Sequence, residues 1–196
     1  LSLHDALPIL ALIILFALVG FYFYKLSQKY PQGFKCKTII IIFSILMVID
    51  QGIKLIIKFF FFEDYIDIIK GFLSFNPIIN TDGSWLNARF STGISFPLLI
   101  FVNFIAIVLF FELYRYYLSK GNNSFYGDMC FLFIFSGSLC SLIDKIFYGG
   151  SLDFIGISNL FIADIKDIYI NLGILFFIIS IVISGYLTED DNTSFK

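Results

Sequence analysis

The chain has 196 residues, of which 59% are hydrophobic and only 14% are charged, and its mean hydropathy is +0.90. A soluble domain is about one quarter charged and about half apolar, so this composition excludes an ordinary water-soluble globule, and it equally excludes a disordered chain. The net charge of −2 lacks the basic excess of nucleic-acid-binding proteins, so no nucleic-acid partner is expected.

The rare residues limit the chemistry that an active site can use. The single histidine, His4, lies at the beginning of the chain, which argues against a Ser-His-Asp site or a multi-histidine zinc site. The three cysteines, Cys36, Cys130 and Cys140, are an odd number without CxxC spacing, so free thiols are expected. We therefore expect no metal and no cofactor. The working groups of an enzyme would be carboxylates, lysines or hydroxyls.

Five apolar runs are each close to the length of about 20 residues that a membrane-spanning helix needs. In chain order they are residues 6–24, 38–62, 90–111, 129–143 (which is uncharged and continues to 147) and 168–188. Strands of a membrane barrel would alternate apolar and polar residues, and these runs do not. The sequence therefore predicts an all-α polytopic membrane protein with a four-helix core. Because no basic segment precedes the first run, we expect this run to be an extra N-terminal membrane helix rather than a signal peptide. The chain begins with Leu, and its first residues are interpreted as a fragment.

The basic residues orient the bundle, because cytoplasmic loops carry an excess of lysine and arginine. Residues 25–37 contain four lysines, and the next short loop contains Arg115 and Lys120. Both loops are expected to be cytoplasmic, which places residues 63–89 and 148–163 on the outer face. The first of these outer segments is predicted to form a small irregular or β segment at the interface. The sequence therefore predicts three parts of the chain: an accessory helix with a basic loop (1–37), the membrane core (38–188) and an acidic tail (189–196).

Charged residues within spans are costly and usually mark function. Asp50 and Lys54 are four residues apart in the second span, so they share one helix face. Two interpretations stay open for them, a buried structural ion pair and a pair that faces a polar cavity.

Four aspartates converge at the outer ends of the last two spans. The fourth span runs outward towards Asp144 and Asp153, and the fifth begins at the outer face with Asp164 and Asp167. Two carboxylates held close together share one proton, and such a pair can activate water and protonate a leaving amine, as in aspartic peptidases. The alternative is a set of solvated charges and helix caps.

Several short motifs resemble those of lipoprotein signal peptidase (signal peptidase II), the membrane aspartic peptidase of bacteria, over residues 38–187. Residues 50–54 (DQGIK) resemble the family's DQxxK, and Asn80 to Gly83 resembles its NxG turn. The stretch from Gly137 through Ser141, Asp144 and Lys145 to Asp153 and Phe154 resembles GxxxNxxDR followed by VVDF, with every interval preserved.

The family's second aspartate, in FNxAD with a glycine six residues later, has two counterparts here. Aligning residues 160–164 selects Asp164, whereas aligning residues 163–167 selects Asp167 and places Gly173 six residues beyond it. The resemblance implies Asp153 and Asp167 as the catalytic pair, with Asp164 as the alternative to Asp167. Ser141 replaces the family's Asn and Lys145 its Arg, which indicates a divergent member, or a non-catalytic or altered-specificity paralogue.

The resemblance also implies the activity, an endopeptidase that cleaves diacylglyceryl-modified prolipoproteins just before the lipidated cysteine. The enzyme would be a monomer in the bacterial cytoplasmic (inner) membrane, in contact with membrane lipid, with its active site near the outer face. The residues implied to bind substrate or support the site are Asp50, Lys54, Asn80, Gly83, Gly137, Ser141, Asp144, Lys145, Phe154 and Asp164.

Two further functions compete with this one. A small polytopic transporter would use Asp50 and Lys54 along an ion path. A serine-lysine hydrolase would use Ser141 and Lys145, which are four residues apart on one helix.

Overall fold

The computed structural model describes residues 3–81, 95–158 and 160–193. The helices within these ranges are α1 (Leu3–Lys29), α2 (Cys36–Ile56), α3 (Phe96–Ser119), α4 (Phe125–Phe147) and α5 (Ile165–Thr193), and α2 continues into one π-helical turn, Ile57–Phe61. Among the described residues, four segments are long and apolar enough to cross a membrane: α2 with its π-helical turn, α3, α4, and α5 as far as Ile183. The predicted all-α polytopic membrane architecture is confirmed.

The helices extend beyond the apolar runs from which they were predicted. The third run, 90–111, corresponds to α3, which begins at Phe96 with Pro97 in its first turn and continues to Ser119. Proline is favoured at this position because its missing N–H needs no partner there. Past Phe111, the helix continues and carries an exposed ion pair between Glu112 and Arg115, whose closest atoms are 2.9 Å apart. Residues 90–94 of the predicted run lie outside the described residues.

A small antiparallel sheet closes one end of the bundle. Its strands are β1 (Ile66–Ile69), β2 (Leu73–Asn80), β3 (Ser151–Ile157) and β4 (Phe161–Ala163), in the order β1-β2-β3-β4. The predicted β segment between the second and third spans thus forms β1 and β2. Strand β3 follows α4 through a turn in which Gly149 adopts a left-handed φ of 67°. We refer to this end of the molecule as the sheet end.

Helix α4 lies at the centre of the molecule. Its residues Phe125, Met129, Leu132 and Phe133 are buried against α5. The two helices approach closely at Gly137, where an added Cβ would lie 2.7 Å from Ile170 Cγ1 and 3.0 Å from the Lys166 carbonyl oxygen. This glycine therefore sets how near the first turn of α5 comes to α4.

Candidate active site

A cavity of about 1090 Å³ opens at the sheet end between α3, α4, α5 and the sheet. Its apolar wall includes Leu99 and Val102 of α3 and Leu172 and Leu175 of α5. The polar residues that line it are Asn80, Asn103, Ser138, Ser141, Lys145, Ser151, Asp153, Lys166, Asp167 and Asn171. The cavity thus combines an apolar wall with a cluster of ionisable groups.

Three aspartates meet at this cavity. Asp153 on β3, Asp164 after β4 and Asp167 in the first turn of α5 each place one carboxylate oxygen within 4.8 Å of the others. Asp153 and Asp167 line the cavity, whereas Asp164 is completely buried behind it. Three carboxylates at this spacing are close enough to hold a cation. Lys166 supplies a positive charge there, because its Nζ is 2.5 Å from Asp164 Oδ2 and 3.4 Å from Asp153 Oδ1.

Reciprocal hydrogen bonds at the start of α5 fix the position of Asp167. The Asp164 backbone N–H donates to Asp167 Oδ2 at 3.2 Å, and the Asp167 backbone N–H donates to Asp164 Oδ1 at 3.2 Å. The arrangement is that of a capping box, which satisfies donors that a helix start otherwise leaves unpaired. The positive end of the helix dipole also favours carboxylates in this turn.

The sheet register fixes the position of Asp153. Antiparallel pairing of β2 with β3 places Asn80 opposite Ser151 and Ile78 opposite Asp153. Asn80 Nδ2 then donates to Asp153 Oδ2 at 3.0 Å, and Ser151 Oγ donates to Asp153 Oδ1 at 2.5 Å. Both oxygens of Asp153 are held by donors from the sheet.

Behind the cavity lies a buried charge cluster centred on Lys54. Its Nζ is 2.9 Å from Asp50 Oδ2, 2.6 Å from Asp144 Oδ2 and 2.5 Å from Asp164 Oδ2, and all four side chains are 0% exposed. Gln51 Nε2 donates to both Asp50 and Asp144 at 3.0 Å. Of the two interpretations left open for Asp50 and Lys54, the structure contains the buried ion pair, and neither residue lines the cavity.

Two ammonium groups favour the ionised form of Asp164 within this cluster. Burial alone would raise the pKa of its carboxyl, but the neighbouring ammonium groups of Lys166 and Lys54 hold the pKa below its usual value. Asp164 therefore links the buried cluster to the cavity through Lys166.

Ser141 and Lys145 form a separate pair on the cavity wall. One helical turn apart on α4, they are joined by a hydrogen bond from Lys145 Nζ to Ser141 Oγ at 2.6 Å. Asn103 Nδ2 on α3 donates to the same oxygen at 3.4 Å.

Residues 39–183 match the sequence family described as signal peptidase (SPase) II. The chain belongs to this family. It is a membrane-embedded signal peptidase, as the motif resemblance predicted.

Two solved structures described as bacterial membrane enzymes are 22% and 21% identical to this signal peptidase, each with a TM-score of 0.62. The matches cover 78% and 76% of this chain and 92% and 95% of the other chains, and at this identity they establish the shared fold. No curated protein sequence matches significantly.

The remaining motif residues of the signal peptidase take different positions. Gly137 lies at the close contact of α4 and α5. Phe154 points away from the cavity, since β3 alternates, and it packs with Leu152 and Ile57 and against the Phe75 ring, with centroids 6.2 Å apart. Gly83 lies outside the described residues.

Several side chains of this site were given no role from the sequence. Among them are Asn103, Ser151 and Lys166, together with Gln51, which stands inside the DQxxK-like motif. Lys166 did carry a signal, since it lies between two aspartates at the start of a helix, where the helix dipole disfavours a cation. Ser151 and Asn103 carried none, because small polar residues are common in turns and in membrane helices.

Proposed function

We propose that this signal peptidase is an aspartic endopeptidase that removes signal peptides from diacylglyceryl-modified prolipoproteins, cleaving before the lipidated cysteine. Asp153 and Asp167 are its catalytic pair. The observation that supports this most is that the two carboxylates line one cavity, with oxygens within 4.8 Å of each other. Asp164 is less suited to the role, because its carboxylate is buried and ion-paired with Lys54 and Lys166.

The proposed reaction needs one water and the single proton that the pair shares. The ionised carboxylate accepts a proton from water as the water oxygen bonds to the scissile carbonyl carbon. The resulting tetrahedral intermediate breaks its C–N bond as the protonated carboxyl gives its proton to the departing nitrogen. The products are a free carboxyl terminus on the signal peptide and a free amino group on the lipidated cysteine.

The apolar wall of the cavity suits a lipid-modified substrate. The scissile segment must leave helical geometry to expose its carbonyl, and a polar cavity at membrane depth tolerates that where lipid does not. The diacylglyceryl chains would lie against α3 and α5 and hold the substrate in place, which lowers the entropic cost of positioning. The distribution of lysines along the chain supports an orientation in which the sheet end lies at the outer face of the bacterial cytoplasmic membrane. We propose that the enzyme acts there as a monomer.

We assign supporting roles to the other motif residues. Asn80 orients Asp153. A rigid charged base is formed by Asp50, Lys54 and Asp144, and Gly137 brings α5 close to α4. Ser141 and Lys145 face the cavity and contact the substrate backbone. Residues 38–188 form the peptidase unit, with 1–37 as an accessory segment.

The direct test is cleavage of lipid-modified prolipoprotein by three amide variants. Asp153→Asn and Asp167→Asn are expected to lower kcat by at least about 100-fold, the lower bound for loss of a general acid or base. Asp164→Asn is expected to retain more activity than either. Full activity in Asp153→Asn or Asp167→Asn would contradict the assignment, and loss confined to Asp153→Asn and Asp164→Asn would transfer the second role to Asp164.

A second candidate is a serine-lysine hydrolase, favoured by the 2.6 Å hydrogen bond between Lys145 and Ser141 at the cavity wall. In that mechanism Lys145 removes the proton from Ser141 as the serine oxygen bonds to the scissile carbonyl carbon. The C–N bond then breaks as Lys145 passes this proton to the departing nitrogen, which leaves the signal peptide as an acyl-enzyme, and water hydrolyses it. Ser141→Ala would abolish cleavage by this route and would leave most of it under the aspartic mechanism. Hydroxylamine added during turnover would trap an acyl-enzyme as a hydroxamate of the signal peptide.

A further inference from the structure

Lys166 has a place in the site that no motif assigns to it. It stands in the first turn of α5, between Asp164 and Asp167, and its side chain is only 7% exposed. Its ammonium donates to Asp164 Oδ2 at 2.5 Å, to Asp153 Oδ1 at 3.4 Å and to Ser151 Oγ. It also lies 3.5 Å from Asp144 Oδ2.

The location is unfavourable for a cation on local grounds. A positive charge at a helix start opposes the helix dipole, and burying an ammonium is costly without acceptors. One ammonium, that of Lys54, faces the carboxylates of Asp50, Asp144 and Asp164, so Lys166 contributes to the charge balance of the buried cluster. Beyond this charge balance, Lys166 contacts Asp153, both directly and through Ser151.

The donors are distributed unequally over the two proposed catalytic carboxylates. Asp153 accepts from Asn80 at Oδ2 and from Ser151 and Lys166 at Oδ1. The carboxylate of Asp167, by contrast, accepts a hydrogen bond from the backbone N–H of Asp164. Hydrogen bonds from a cation and from fixed dipoles stabilise an ionised carboxylate, so this asymmetry favours the negative charge on Asp153 and the shared proton on Asp167.

Resting on the aspartic mechanism proposed above, we propose that Lys166 is a positioning residue that holds Asp153, directly and through Ser151, as the acceptor of the water proton. Asp167 is then the group that protonates the departing nitrogen. The side chain of Lys166 lines the cavity, and in this proposal it acts on the reaction through Asp153.

The experiment compares steady-state cleavage of lipid-modified prolipoprotein by Lys166→Met, Lys166→Arg, Asp164→Asn and the double variant Lys166→Met/Asp164→Asn. Lys166→Met is expected to lower kcat by about 10- to 100-fold, because misplacing a reacting group by about 1 Å costs on the order of 100-fold. KM is expected to change little, since the proposed role of Lys166 is to position Asp153. Lys166→Arg keeps the charge and is expected to lose less kcat than Lys166→Met.

The double variant separates positioning from charge balance. It removes Lys166 together with one carboxylate that Lys166 neutralises, so it relieves the unpaired charge that Lys166→Met leaves near Asp164. Our proposal predicts that the double variant regains thermal stability but keeps the kcat loss. Recovery of kcat to the level of Asp164→Asn would overturn it, as would an effect of Lys166→Met on KM alone.

Two further variants complete the design. Lys58→Met removes a lysine whose Nζ lies 4.6 Å from the Tyr148 ring centroid, near the same end of the bundle, and is expected to leave kcat unchanged. Asp153→Asn tests the underlying mechanism separately. If Asp153→Asn is fully active, the aspartic mechanism fails; if it is inactive and Lys166→Met is fully active, only the role of Lys166 fails.

Discussion

Two regions of the molecule bury aspartate in different ways. At the end of α4 opposite the sheet, Asp128 is 2% exposed and accepts from Tyr114 Oη at 2.7 Å and from the Phe34 backbone N–H at 2.5 Å. At the sheet end, several aspartates share lysines and surround a polar cavity. A single carboxylate whose two oxygens both have neutral donors fixes a loop, whereas converging carboxylates and ammonium groups that line an open cavity indicate chemistry.

The largest effect is expected at the centre of the buried cluster. Lys54→Met leaves Asp50, Asp144 and Asp164 without their shared cation, and breaking a buried ion pair costs about 3–5 kcal/mol. Thermal unfolding in detergent should show a large loss of stability, while Lys70→Met, at an exposed position, should show none. A stability equal to that of the wild type would mean that the cluster does not support the sheet end.

A smaller effect, on stability alone, is expected at the other region. Asp128→Asn leaves one acceptor oxygen where the carboxylate has two, so one of the hydrogen bonds from Tyr114 Oη and the Phe34 backbone N–H is lost. A hydrogen bond to a charged acceptor is worth about 1.5–3 kcal/mol. Thermal unfolding should record the loss, and cleavage at a temperature where the variant stays folded should match the wild type. A lower kcat for folded Asp128→Asn would contradict our view that Asp128 serves stability alone and that the sheet end carries the chemistry.

The contact of α4 with α5 links the fold to the site. In Gly137→Ala the new Cβ would overlap Ile170 and the Lys166 carbonyl, so α5 must shift, at a cost of about 1–3 kcal/mol. Because that shift moves Lys166 and Asp167, kcat should fall with stability. Gly52→Ala in α2 is the matched control, since an added Cβ there meets nothing within 4 Å, and it should leave both properties at or slightly above the wild-type level.

The smallest effect is a pH dependence of stability from Asp164. Its pKa is lower in the folded protein than its usual value of 3.8, so its contribution is present above pH 3.8 and is lost as the pH falls through the folded pKa. The wild-type Tm should therefore fall more steeply below pH 4 than the Tm of Asp164→Asn. Parallel Tm curves for the two proteins would show that Asp164 is not held as an ion.

The sequence predicted those features that follow from hydropathy and chain order. Long apolar runs gave the spans, and the alternation of direction between spans predicted that Asp144, Asp153, Asp164 and Asp167 would meet at one end. The family assignment is confirmed by the match over residues 39–183. The catalytic roles of Asp153 and Asp167 stay predictions.

The rest depended on three-dimensional proximity that spacing does not contain. Whether Asp50 and Lys54 face a cavity or a buried partner depends on Asp144 and Asp164, which arrive from other elements. The hydrogen bond from Asn80 to Asp153 depends on the register of β2 and β3, which includes an irregularity between Phe75 and Ile78. Lys166 was visible only as a cation in an unfavourable helix position.

The most direct test of the central claim is an experimental structure of Asp167→Asn with an uncleaved lipid-modified signal peptide. The account predicts that the scissile carbonyl carbon lies in the cavity between the side chains at positions 153 and 167, with the lipid chains along α3 and α5. A peptide whose scissile bond lies against Ser141 and Lys145, or outside the cavity, would contradict it.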